Sequence, residues 1–144
     1  MTQANDTETV RAGSCLCGAI SFEVQGAING VGQCHCSKCR KVSGTASNAM
    51  FIVGARRFRW TLGEQHTQRF RFPDGWGPTR CATCGSPLPE SHDGKRYWVP
   101  AGLMNDNLDT TIGMHIHVAS KADWDVIHDD ALQHQAAAPQ PPAS

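Results

Sequence analysis

Seven cysteines fall into three tight clusters, Cys15-Leu16-Cys17, Cys34-His35-Cys36-Ser37-Lys38-Cys39 and Cys81-Ala82-Thr83-Cys84, and they restrict the fold more than any other feature. Spacings of one or two residues let neighbouring thiolates converge on one small ion with little backbone travel. Zinc takes four protein ligands in a structural site. In a catalytic site it commonly takes three, and the fourth position is left to water or substrate. Seven divides into four plus three, which suggests one closed site that holds the fold and one open site. Spacing alone does not say which cysteines belong together.

Disulfides fit this pattern poorly. A Cys-x-Cys pair would close a strained ring, and an odd count leaves one thiol unpaired. Met1 to Ser14 is polar and mixed in charge, without the basic start and apolar stretch of a signal peptide. No stretch approaches the ~18 consecutive apolar residues of a membrane span. The expected location is therefore cytoplasmic, where thiols stay reduced and clustered cysteines read as metal ligands. A thioredoxin-like role for Cys81 and Cys84 would need a helix to follow, and Gly85-Ser86-Pro87 blocks one.

At 144 residues and 15.6 kDa the chain has room for one domain. Thirteen acidic and thirteen basic side chains cancel, and the pI is about 7.0, which argues against a surface for nucleic acid or anionic membrane.

Short apolar alternations separated by Gly and Pro predict a mostly β protein with few short helices. Ile20, Phe22 and Val24 share one side of a strand over 19–24, and 49–53 suits a buried strand. Phe58, Trp60 and Leu62 alternate and stop at Gly63. Phe70 and Phe72 alternate and stop at the turn signal Pro73-Asp74-Gly75. Runs at 97–99 and 114–118 complete about six strands. Helix is expected only over 37–42, ended by Gly44, and over 129–135. Residues 1–10 read as a flexible lead, 11–133 as the domain, and 134–144 as an Ala/Pro-rich disordered tail. Cys15 and Cys17 are expected to share an ion through a bend in the chain, which the flanking Gly13 and Gly18 permit. Gly85 is expected to do the same after Cys84, in a knuckle whose amides approach the sulfurs.

Taken in order, these residues resemble the glutathione-dependent formaldehyde-activating enzyme family, which also includes centromere protein V-like proteins. The matching stretches are Gly13 to Ile20, Cys34 to Lys41 with Ser43-Gly44, Gly63-Glu64, Cys81 to Leu88, Ala101-Gly102, His115-Ile116 and Ser120 to Trp124. The resemblance runs from about Arg11 to Gln133. It implies a β-tent fold, two small antiparallel sheets pinned by zinc, with two zinc ions per chain. It assigns Cys15, Cys17, Cys81 and Cys84 to a structural zinc, and Cys34, Cys36 and Cys39 to an open, catalytic one. The chain departs from the family pattern at Arg80, at Met104-Asn105 and at Asp123, none of them a metal ligand.

The activity implied is that of a carbon–sulfur lyase acting on a thiol such as glutathione, forming or cleaving an S-hydroxymethyl adduct. Three thiolates on a dication leave a formal charge of minus one, so the metal is a weak Lewis acid better suited to holding a substrate thiol than to making hydroxide. Glutathione is the expected small-molecule partner, with no nucleic acid or membrane; the sequence does not set the oligomeric state. Lys38, Arg40 and Lys41 are either counter-charges for that site or a solvated turn. Ser37 is expected to cap the short helix. His35 is expected to point away from its two cysteines, and His115 and His117 to share one strand face. The alternatives are a non-enzymatic zinc interaction module and a metal or redox buffer.

Overall fold

The computed structural model describes residues 8–139. Of the expected flexible lead, residues 1–7 lie outside those residues and Val10 already belongs to a strand; of the expected tail, 140–144 lie outside them.

Ile20, Phe22 and Val24 are all fully buried. The last two project from β2 (Ser21–Gln25), which lies between β1 (Val10–Ser14) and β5 (Phe58–Leu62) in an antiparallel three-stranded sheet. Gly13 lies in β1, and its role is space rather than bending: a Cβ there would sit 2.4 Å from the Phe22 ring. A second sheet holds β3 (Val31–Cys34), β4 (Asn48–Gly54), β8 (Arg96–Pro100), β9 (Ile112–Ile116) and β10 (Leu132–Gln133), in the order β10-β9-β3-β4-β8. The main core joins the two sheets: Phe22, Val24 and Phe58 from the first meet Phe51, Val53 and Val99 from the second, with Ile28 and Leu103. Phe58 stacks on Tyr97 with centroids 3.9 Å apart and meets Trp60 edge-on at 5.0 Å. Such pairs add about 0.5–1.5 kcal/mol beyond their buried area.

The expectation of two antiparallel sheets needs correction. The five-stranded sheet is mixed, because β9 runs parallel to both β3 and β10. A separate antiparallel ribbon pairs β6 (Thr67–Arg69) with β7 (Thr79–Cys81). The strand expected at Phe70 and Phe72 instead ends at Arg69. Phe70 and Phe72 still donate to Pro78 and Trp76 carbonyls, but Pro78 has no N–H to return, so the ladder becomes one-sided. Both rings are exposed.

The helix expected over 129–135 is also absent. Asp129 accepts from the Ala131 amide, a local bond that competes with helix, and β10 follows at Leu132–Gln133. His134 donates to the His115 carbonyl, and Val118 and His117 donate to His134 and Ala136, so the start of the expected tail is tied to the sheet. The strand expected over 114–118 ends at Ile116, because His117 adopts a left-handed conformation at φ 54°. His115 and His117 therefore do not share a strand face. The helix α1 (Ser37–Ser43) forms where the sequence places one and ends on Gly44 at φ 70°.

Candidate metal centre

The structure sorts the cysteines into two groups. In each, every member offers a sulfur within 4.8 Å of the others: Cys15, Cys17, Cys81 and Cys84 in one, and Cys34, Cys36 and Cys39 in the other. This is the division the family resemblance implies. All seven are free thiols.

The four-thiol group joins the end of β1 to the end of the β6–β7 ribbon. Gly18 and Gly85, at φ 80° and 78°, turn the chain back after each pair. Their amides donate to the Cys15 and Cys81 carbonyls, closing matching knuckles. The Ile20 amide reaches the Cys15 sulfur at 3.4 Å. Cys15 lies 3.6 Å and Cys81 3.9 Å from Cys17, sulfur to sulfur. Tetrahedral zinc with ~2.3 Å bonds to sulfur requires edges of roughly 3.8 Å. These two separations match such edges, and the remaining ones lie within 4.8 Å.

Protonation supports the same fit. Cys84 is lowered to about 5, first by the Ser86 hydroxyl. Cys17 is pushed up to about 11: an Ala19 amide pulls it down, but desolvation and its three thiol neighbours outweigh that bond. One sulfur ionises readily and then holds its neighbour protonated. A dication relieves that conflict by favouring all the thiolates together.

The three-thiol group lies where β3 runs into α1, and all three residues are half-buried. Cys36 caps the helix, its sulfur accepting from the Cys39 amide at 3.3 Å. This corrects the assignment of the cap to Ser37, which is the first helical residue; a cysteine is not an evident cap from sequence. Cys34 is lowered to about 6, chiefly by the Cys39 thiol, and Cys39 is pushed far up by the same bond. Among the described residues no fourth histidine, cysteine or carboxylate joins this cluster. The set can hold a metal with one position left over.

His35 does point into the interior, away from the thiols. It is 1 % exposed, and its Nε2 lies 2.9 Å from His115 Nδ1. His115 Nε2 in turn lies 2.9 Å from Asp129 Oδ1. Burial first, and the neighbouring His115 second, depress the His35 pKa.

Lys38 pairs with Asp74 at 2.9 Å and lies 5.2 Å over the Trp76 ring. With Lys41, Val42, Phe72 and Pro78 these residues line a groove of about 420 Å³ along α1. Of the departures from the family pattern, Asn105 and Asp123 do not line that groove, whereas Arg80 bonds to one of its lining residues. Asn105 donates to Ala12 and Ser14 on β1, and Asp123 is exposed. Arg80 donates to the Gly85 carbonyl beside one cysteine group and to the Val42 carbonyl near the end of α1. It links the surroundings of the two groups, a role no sequence signal pointed to.

A small, mostly β chain that gathers seven thiols into a four and a three belongs to the class of cysteine-rich domains able to bind metal. The family model described as glutathione-dependent formaldehyde-activating enzyme matches residues 10–120, and the chain belongs to that family. Its fold is similar to the crystal structure of a Rhodobacter sphaeroides protein. The TM-score is 0.54 at 21% identity, and the match covers 70% of this chain and 98% of that one. The family is named for an enzyme, so membership suggests formaldehyde activation or a related function. Among the described residues no helix is long and apolar enough to cross a membrane.

Proposed function

We propose that the protein is a zinc-dependent carbon–sulfur lyase that forms or cleaves the S-hydroxymethyl adduct of a thiol such as glutathione, in the cytoplasm. The observation that carries this reading is the contrast between a four-thiol group, which would complete a zinc shell, and a half-buried three-thiol group, which would leave a position over. Cys15, Cys17, Cys81 and Cys84 would hold a structural zinc; Cys34, Cys36 and Cys39 would hold the working one. Bound there, zinc would keep a substrate thiol ionised and nucleophilic at neutral pH.

In the forward direction the substrate sulfur adds to the formaldehyde carbon. The carbonyl π pair moves to oxygen, which takes up the proton the thiol released. Cleavage is the reverse. The chain's own contribution is positioning: β3 fixes Cys34, and the Cys36 cap ties its sulfur to the Cys39 amide. Lys41, exposed and without an acidic partner among the described residues, is available to a substrate carboxylate.

Cobalt-substituted protein tests this. Glutathione should strengthen the thiolate-to-cobalt charge transfer of the second site, and Cys34→Ser should abolish the response. S-methylglutathione, which has no thiol proton to lose, should not reproduce it. Carbon NMR with labelled formaldehyde should show faster adduct exchange with protein than without. A spectral response without faster exchange would reduce the protein to a thiol-binding module, and no response would refute thiol capture.

A further inference from the structure

The family match ends at residue 120, yet the chain continues across the sheet that carries the three-thiol group. Residues 121–136 bring two carboxylates against one buried histidine pair. Asp129 reaches His115 from outside with both oxygens, at 2.9 and 3.0 Å. His115, 2 % exposed, reaches His35 at 2.9 Å. Asp129 is itself fixed by the Ala131 amide, and β10 beside it is bonded to β9. The chain Asp129–His115–His35 therefore starts on an anchored carboxylate and ends on the residue between Cys34 and Cys36.

Its donor order follows from the chemistry. An ionised carboxylate only accepts, so His115 Nε2 carries a proton. With neutral rings, His115 Nδ1 then accepts from His35 Nε2–H. His35 Nδ1 is left as a bare, buried lone pair with no hydrogen-bond partner among the described residues, 3.6 Å from Asp125 Oδ2. The ring is thus held from one side only. Its backbone is held as well, since the His35 amide donates to the Ile116 carbonyl on β9. Neighbouring residues in extended chain face opposite ways, so fixing the His35 side chain inward sets the outward direction of Cys34 and Cys36. A site with three protein ligands has no fourth to correct their aim, and a displacement of about 0.5 Å is enough to spoil it.

We propose that Asp129 and His115 are positioning residues: the segment beyond residue 120 uses them to lock His35, and so aims Cys34 and Cys36 at the second metal. This rests on the three-thiol group being a metal site. Asp129 is the residue to change, because its side chain is 40 % exposed and its loss leaves no cavity.

The test is chelator competition on full-length protein loaded with cobalt, reading each site's affinity and spectrum, with thermal melting alongside. Asp129→Ala should weaken the second site by up to about 10-fold, less than the roughly 10–100-fold cost of losing a direct partner of a ligand, because Asp129 acts through His115 and His35. The four-thiol site, an internal control in the same molecule, should be unchanged. Asp129→Asn should be intermediate, because its amide oxygen still accepts from His115, and Asp129→Glu should restore most of the affinity. Unchanged second-site affinity in Asp129→Ala would overturn the proposal and leave the metal-site reading intact. Equal weakening at both sites would also overturn it, showing a general structural role. Wild-type protein that binds only one cobalt would instead remove the metal-site reading, and this proposal with it.

Discussion

Replacing Cys81 with serine should cost far more stability than replacing Cys36, although both residues belong to thiol groups. Cys81 is 2 % exposed at the end of β7, where among the described residues a small second core buries Ile20 and Leu88 beside Cys15 and Cys81, with Ala19, Trp60 and Cys84 packed against it. Two fully buried aliphatic side chains contribute about 3–6 kcal/mol. A bound structural zinc contributes on the order of 10 kcal/mol, and a chain of this length has roughly 7–20 kcal/mol in total. The metal would therefore be the main tie between β1 and the ribbon. Serine stays protonated at neutral pH and supplies no fourth thiolate, so Cys81→Ser should lose at least about 5 kcal/mol. Cys36→Ser replaces one helix cap by a better one and keeps an acceptor for the Cys39 amide, so beyond the contribution of the second site's metal its loss should stay below about 1 kcal/mol. Thermal unfolding followed by circular dichroism, with bound metal counted in each sample, measures both. Equal drops in Tm, or a Cys81→Ser protein that melts like wild type, would refute this division of labour.

Gly63→Ala should lose about 2 kcal/mol or more, read as a Tm drop, since its φ is 73° and an added Cβ would meet the Ala19 carbonyl oxygen at 1.9 Å. Arg80→Met, which keeps bulk but loses the bonds to Gly85 and Val42, should increase amide exchange in the last turn of α1 while the four-thiol metal stays bound. Asp125→Asn should raise Tm, because an amide can donate to the bare His35 Nδ1 where a carboxylate cannot; a lower Tm would mean that Nδ1 carries the proton. Asp93 is lowered from its ordinary 3.8 to about 2, foremost by the Lys95 amide. Because the folded value is the depressed one, its contribution is complete above pH ~4 and lost as pH falls through about 2. Asp93→Asn should flatten that acid limb in urea titrations across pH 2–4.

The cysteine clusters were legible because their chemistry is written in local spacing, and the knuckle glycines with it. Strands with strict alternation were legible too: Ile20, Phe22 and Val24 are the most buried residues of their segment. What failed depended on partners far away in sequence. Phe70 and Phe72 alternate like a strand, but whether a ladder forms was decided by Pro78 across the ribbon. Asp129 to Gln135 has acceptable helix residues, but β9 and His115 claimed its backbone and its carboxylate. The Cys36 cap escaped notice because Ser37 beside it is the better capping residue on propensity alone.

The two thiol groups also differ in how they are built. In the four-thiol group each pair closes its own knuckle, so most of its geometry is encoded within a few residues of each cysteine. The three-thiol group takes Cys34 from a strand end, Cys36 from a helix cap and Cys39 from the helix itself. Its geometry therefore depends on how β3 meets α1, which β9 and the segment after residue 120 control from behind through His35. A site assembled in this way can be retuned by changes that touch no ligand. Among related chains, differences in metal affinity should therefore follow the residues opposite His35 rather than the cysteines themselves.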